Sequence, residues 1–166
     1  MEDSSLSPLA IISQLQQNDV THVVWLPDSE TSFLYEEMQS DPDLELVQVA
    51  REGESIGVAM GLWVGGKKPV VLIQNTGLFE SGDALRNVLH DYQLPLYGLI
   101  GYRSYLNSDR LTGDYCLQFT EPVLEAWNVE SIFIDSAEKK DEFKKHYLEC
   151  QQAGRAGITL LAEGRA

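Results

Sequence analysis

The chain has 166 residues, 43% of them hydrophobic and 23% charged, the balance of an ordinary globular protein long enough to bury a core. Twelve Lys and Arg against 26 Asp and Glu give a net charge of −14, a surface that repels nucleic acid and anionic membranes, so neither is an expected partner. No apolar run approaches the ~18 residues of a membrane span, the start Met1-Glu2-Asp3 is unlike a secretory leader, and the isolated Cys116 and Cys150 indicate neither a disulfide framework nor zinc.

A cytoplasmic protein is therefore expected. Taken in chain order, residues 9–16 read as an amphipathic helix, with Leu9, Ile12 and Leu15 on one stripe. Residues 21–26 form a first strand that ends at Pro27-Asp28-Ser29, where Asp28 or Ser29 can cap a helix over 30–39. A strand over 44–49 leads into a helix over 52–63, stopped by Gly65-Gly66. The strand over 69–74 is almost wholly β-branched or apolar, which suits a central position covered on both faces. It ends in a polar turn, Gln74-Asn75-Thr76-Gly77.

A helix over 81–90 and a strand over 94–101 follow, then a long loop over 102–117, of a kind that often carries function. A short helix over 122–127, a strand over 129–134, a charged helix over 138–150 and a strand over 157–162 complete the pattern. About six strands alternating with crossover helices predict an α/β fold, a three-layer open parallel sheet with helices on both faces. With no repeat or internal linker, one domain over 1–166 is expected.

Ligands of open parallel sheets sit beyond the carboxyl ends of the strands. Those ends carry Asp28 and Ser29, Arg51 and Glu52, the run Gln74-Asn75-Thr76-Gly77, and Arg103. Neither GxGxxG nor GxxxxGK[ST] occurs there, which disfavours dinucleotide and P-loop sites. Each of these residues also has a plain structural role open to it. Glu52 can be a first-turn glutamate on the helix dipole, Asp28 a helix cap, residues 74–77 a polar turn, and the arginines surface cations. His90 reads as a surface histidine and the run from Glu138 to Lys145 as a solvated helix face. Trp25, Trp63 and Trp127 read as core or subunit contact.

Three patches together carry a family resemblance: Leu26-Pro27-Asp28-Ser29; Arg51-Glu52-Gly53 leading to Ala59-Met60-Gly61; and Lys68-Pro69-Val70-Val71-Leu72-Ile73-Gln74-Asn75-Thr76-Gly77-Leu78. A weaker patch runs from Leu94-Pro95-Leu96 to Gly101-Tyr102-Arg103. They resemble the pyrimidine-binding (PYR) domain of thiamine diphosphate enzymes, closest to the group containing sulfopyruvate decarboxylase and phosphonopyruvate decarboxylase. The likeness covers essentially the whole chain. Two places depart from it: Phe79-Glu80 stands where the family continues with Gly-Asn, and Arg103-Ser104 where it tends to have Arg-Gly. These departures bear on the substrate more than on the cofactor.

The resemblance implies the α subunit of a thiamine diphosphate-dependent 2-oxo acid decarboxylase, a carbon–carbon lyase most like the sulfopyruvate enzyme. It implies that Glu52 bonds N1′ of the aminopyrimidine and so favours the tautomer that deprotonates the thiazolium C2, with Asp28 as a proton relay. Gln74, Asn75, Thr76 and Gly77 would line the cofactor pocket, and Asp28, Ser29, Arg51 and Arg103 would meet the small 2-oxo acid substrate. A guanidinium fork matches a sulfonate or phosphonate tail.

No metal ligand is assigned to this chain. The family's Gly-Asp-Gly motif is missing, since Gly82-Asp83-Ala84 and Gly113-Asp114-Tyr115 reach no third glycine. Mg²⁺ would then be held by a separate PP-domain β subunit, in an α2β2 or larger assembly. The apolar helix over 56–63 is a candidate interface, though core burial explains it equally well. A phosphonopyruvate decarboxylase, a carboligating subunit like that of acetolactate synthase, and a non-catalytic regulatory subunit with the PYR fold remain as alternatives.

Overall fold

Alternation along the strands sets the architecture. In β3 (Pro69–Gln74), Val70 and Leu72 point to one face and Val71 and Ile73 to the other, all nearly inaccessible to water. A strand buried on both sides needs helices above and below it. The computed structural model describes residues 6–103, 105 and 115–162, and it supplies those layers.

Six parallel strands, β1 (His22–Trp25), β2 (Glu45–Gln48), β3, β4 (Tyr97–Tyr102), β5 (Glu130–Ile134) and β6 (Gly157–Ala162), pair in the order β2-β1-β3-β4-β6-β5. One face is covered by α1 (Pro8–Gln17), α2 (Tyr35–Ser40) and α7 (Lys140–Ala153), through Ile11, Leu15, Met38, Phe143 and Tyr147. The other is covered by α3 (Glu52–Val64), α4 (Asn75–Glu80), α5 (Gly82–Arg86) and α6 (Cys116–Ala126), through Ile56, Ala59, Leu78, Leu85 and Leu124. Each such side chain contributes about 1.5–3 kcal/mol on burial. This is the expected three-layer α/β fold.

Several predicted boundaries are corrected. The helix expected over 30–39 begins as a 3-10 turn at Ser32–Leu34, because Asp28 and Thr31 organise the preceding residues into a turn of their own. The strand expected over 94–101 is Tyr97–Tyr102. The polar turn expected at 74–77 is helical: α4 starts at Asn75 directly from β3, and the helix expected over 81–90 is split into α5 and a π turn at Asn87–Asp91. Proline marked the start of the helix expected over 122–127, yet Pro122 lies inside α6, which begins at Cys116. Of the expected loop over 102–117, residues 104 and 106–114 fall outside the described residues.

Cys150 is buried and Cys116 half-buried, and His90 is exposed. Trp25 is in the core on one face of the sheet, while Trp63 and Trp127 are half-buried against the core on the other face. No helix among the described residues is long and apolar enough to cross a membrane.

Candidate functional site at the carboxyl ends of β1 and β3

The chain leaves β1 for β2 on one side and reaches β3 on the other, so the strand order reverses between β1 and β3. A crevice opens at such a switch point, beyond the strand ends. Register aligns these ends: Trp25 lies level with Gln48 and Leu72, and Gln74 level with Gly101. The segments that follow therefore meet in space. They carry Asp28, Arg51 and Glu52, the residues 74–77, and Arg103.

Glu52 is the first residue of α3 and is half-buried. Its side chain lies against Gly77. A Cβ on Gly77 would stand 2.5 Å from Glu52 Cγ and 3.1 Å from Oε1, so glycine there makes room for the glutamate. Ile56 and Ala59, one and two turns on, are buried in the core, which leaves Glu52 as the carboxylate at the mouth of an apolar helix.

Asp28 divides its two oxygens between two tasks. Oδ1 accepts the N–H groups of Glu30 and Thr31, each at 2.8 Å, closing the turn after β1. Thr31 is itself anchored by the Trp25 indole N–H, which donates to its Oγ1 at 2.8 Å. Oδ2 is buried and has no hydrogen-bond partner among the described residues. Burial pushes the Asp28 carboxyl above its ordinary value, the hydrogen bonds from residues 30 and 31 oppose this, and the nearby Glu52 charge adds to the rise. The Glu52 charge is thus felt at Asp28.

Asn75 is fully buried. Its Nδ2 donates to Thr120 Oγ1 at 3.0 Å, and Thr120 donates to the Cys116 carbonyl at 2.6 Å, tying α4 to α6. Asn75 Oδ1 has no partner, and neither does Gln74 Oε1. Among the described residues five buried side-chain oxygens lack a partner; three lie here, on Asp28, Gln74 and Asn75, and two on Gln14 of α1 and Asn18 just after it. Buried acceptors without donors are costly, so their concentration at one rim marks a place where a ligand's N–H groups would be welcome. Thr76 is half-buried beside them.

The proposed substrate residues are placed differently. Ser29 is exposed and its hydroxyl donates to Glu30. Arg51 is exposed and pairs with Glu80, the last residue of α4. Glu80 also accepts the Gly53 N–H at 2.8 Å, and these contacts hold its carboxyl below the usual range. Arg103 is half-buried just past β4, whose Gly101 abuts Glu30 and Thr31.

Glu80, Thr120 and Thr31 are therefore parts of the site that motif reading did not assign. For Glu80 the available signal was its departure from the family pattern; the two threonines left none. Among the described residues no group of three or more His, Cys, Asp or Glu could hold a metal ion. A cleft of about 840 Å³ lies at the opposite edge of the sheet, lined by His90, Glu121, Glu125, Glu130 and Arg155 among others, away from these carboxyls.

No protein-family profile matches the chain. It is 28% identical over 117 residues to the sulfopyruvate decarboxylase subunit alpha of Methanococcus maripaludis, covering 70% of each chain. It is 26% identical over 98 residues to the subunit of that name from Methanocaldococcus jannaschii, covering 59% of this chain and 58% of that one. A phosphonopyruvate decarboxylase of Streptomyces viridochromogenes is 31% identical over 93 residues, 56% of this chain but 23% of its own length.

Among solved structures, benzoylformate decarboxylase from Polynucleobacter necessarius superposes with a TM-score of 0.71 at 20% identity, over 98% of this chain and 31% of that one. That likeness establishes the fold alone. The homologues are those to which the sequence patches pointed.

Proposed function

From this kinship we propose that the chain is the α subunit of a thiamine diphosphate-dependent 2-oxo acid decarboxylase, most like the sulfopyruvate enzyme. In this reading residues 1–166 form one PYR-type domain. It works in the cytoplasm with a separate PP-domain β subunit that holds Mg²⁺ and the diphosphate, in an α2β2 or larger assembly. The observation that supports it most is the Glu52 side chain laid over Gly77, beside three buried oxygens that lack donors.

An aminopyrimidine is complementary to that rim. Its amino group would bring N–H donors to oxygens such as those of Gln74 and Asn75, and its ring nitrogen would pair with a carboxyl such as that of Glu52. The residues present fit the group. When bound, thiamine diphosphate supplies the electron sink that takes up the bonding pair as CO₂ leaves.

This chain's residues supply binding and proton control. Glu52, half-buried against Gly77, is the carboxyl placed to share a proton with the ring nitrogen. Asp28 keeps Oδ1 for the turn and offers Oδ2 as the atom that carries and releases a proton toward the substrate, and its raised pKa favours the loaded form. Gln74, Asn75 and Thr76 orient the pyrimidine, and Gly77 admits the Glu52 side chain. Ser29, Arg51 and Arg103 are the groups assigned to the substrate.

The test is to assemble the chain with a PP-domain partner, thiamine diphosphate and Mg²⁺ and to measure CO₂ release from sulfopyruvate. Turnover is expected, and Glu52→Gln should lower it at least ~100-fold; a variant as active as wild type contradicts the role of Glu52. One observation favours a second reading. The pairing of Arg51 with Glu80 offsets one of the two cations assigned to an anionic tail, which favours a 2-oxo acid with an uncharged tail, decarboxylated alone or joined to a second carbonyl. A panel of sulfopyruvate, phosphonopyruvate and pyruvate, with product analysis, separates the two.

A further inference from the structure

Glu52 occupies the first position of α3, where helices open most readily, and the preceding Arg51 provides no side-chain cap. The missing cap comes from another helix. Glu80 accepts the Gly53 N–H on Oε2 at 2.8 Å and the Arg51 Nε–H on Oε1. One carboxylate therefore grips the residues on both sides of Glu52. Gly77, three residues before Glu80 on the same short helix, receives the Glu52 side chain itself. A carboxylate at this place also complements the positive end of the α3 dipole.

We propose that Glu80 is a positioning residue for this site: a clamp from α4 that fixes the start of α3, and with it the orientation of the Glu52 carboxyl. The inference rests on the proposed role of Glu52. A purely stabilising role for the ion pair is the weaker account. The Arg51 side chain is 76% exposed, and exposed ion pairs contribute little stability. The bond that Glu80 accepts from the Gly53 N–H satisfies a first-turn donor of α3 and contributes instead to local order. Glu80 also stands at a departure from the family pattern, so the clamp belongs to this chain's own sequence rather than to the shared motif.

The test uses the full chain. Glu80→Ala should speed amide hydrogen exchange from Gly53 to Ile56 about tenfold, while the amides of β3 and β6 keep wild-type rates. The Glu52 carboxyl ¹³C resonance should be a single sharp signal in wild type and should broaden or split in Glu80→Ala. Glu80→Gln keeps an oxygen for the Gly53 N–H and should restore most of the protection. In the assembled enzyme, Glu80→Ala should lower kcat about ten- to a hundredfold with KM within about twofold, and Glu80→Gln should recover most of it.

Unchanged exchange at residues 53–56 overturns the clamp. So does faster exchange throughout β3, which would mean general destabilisation. Wild-type kcat in Glu80→Ala overturns the positioning role. An assembled wild-type complex that releases no CO₂ would instead sink the functional reading, with the exchange and resonance measurements still deciding the clamp.

Discussion

Two buried polar clusters at opposite ends of the sheet differ in how they are satisfied. At the amino ends of β4 and β6, Tyr97, His146, Cys150 and Thr159 are buried together. The Tyr97 hydroxyl is bonded to His146 Nδ1 and lies 2.8 Å from Thr159 Oγ1, and Cys150 Sγ is 3.6 Å from His146 Nε2. Burial pushes the Cys150 thiol up to about 11, raises Tyr97 and lowers His146, so all are neutral at pH 7. Neutral groups that satisfy one another make a structural network. At the carboxyl ends of β1 and β3, Asp28, Gln74 and Asn75 each keep a buried oxygen with no partner. The Tyr97 cluster completes itself, and the crevice is complementary to something the described residues do not supply.

Two glycines give the sharpest way to break that contrast. Gly77→Ala pushes a methyl into Glu52 Cγ, and displacing this side chain should cost the assembled enzyme about a hundredfold in kcat, with little change in thermal stability. Gly157→Ala puts its Cβ 2.5 Å from Cys150 Sγ and 2.9 Å from the Tyr97 ring. It should lower stability by about 1–3 kcal/mol or more, while the folded fraction keeps wild-type kcat. Denaturant unfolding and steady-state kinetics on both variants check this; matching effects at the two sites would erase the distinction.

Asp28→Asn should lower kcat about tenfold or more by removing the transferable proton. Asparagine keeps the oxygen that closes the turn, so the fold should survive. The Asp28 pKa is raised in the folded state, so its stabilising contribution is full below its unfolded value near 3.8 and is lost as pH rises through the folded value. The variant should therefore be at least as stable as wild type at pH 7, with the difference shrinking toward pH 4.

The smallest effect is at the other end. Burial lowers the His146 pKa, so its contribution is present above the unfolded value near 6.5 and is lost as pH falls through the folded one. Melting temperature should decline between pH 7 and 5, and His146→Gln should flatten that slope. A slope identical to wild type would show that His146 does not titrate with folding.

Period and composition made β3 and β6 legible to the residue, because their sides are nearly uniform and bounded by Pro69, Gly157 and polar ends. The start of α3 was legible because Glu52 follows a strand and precedes an apolar helix closed by Gly65. The helical state of Asn75 to Gly77 was not. Threonine and glycine are poor helix formers, and the turn forms because Asn75 is held by Thr120 and Gly77 by the approach of Glu52. Those partners lie 45 and 25 residues away along the chain. Pro122 misplaced α6 for a related reason, since Thr120 and Leu124 bury the helix around it despite the lost N–H. The pairing of Glu80 with Arg51 and Gly53 was hidden too, as it joins α4 to the start of α3 across 29 and 27 residues of chain.

The central claim is that Glu52, poised over Gly77, activates a cofactor whose remaining half is held by a second polypeptide. The most direct measurement is the rate at which deuterium replaces the C2 proton of thiamine diphosphate bound to the assembled complex. The account predicts fast exchange with wild-type chain and exchange at least ~100-fold slower with Glu52→Gln. Equal rates in the two complexes would contradict it.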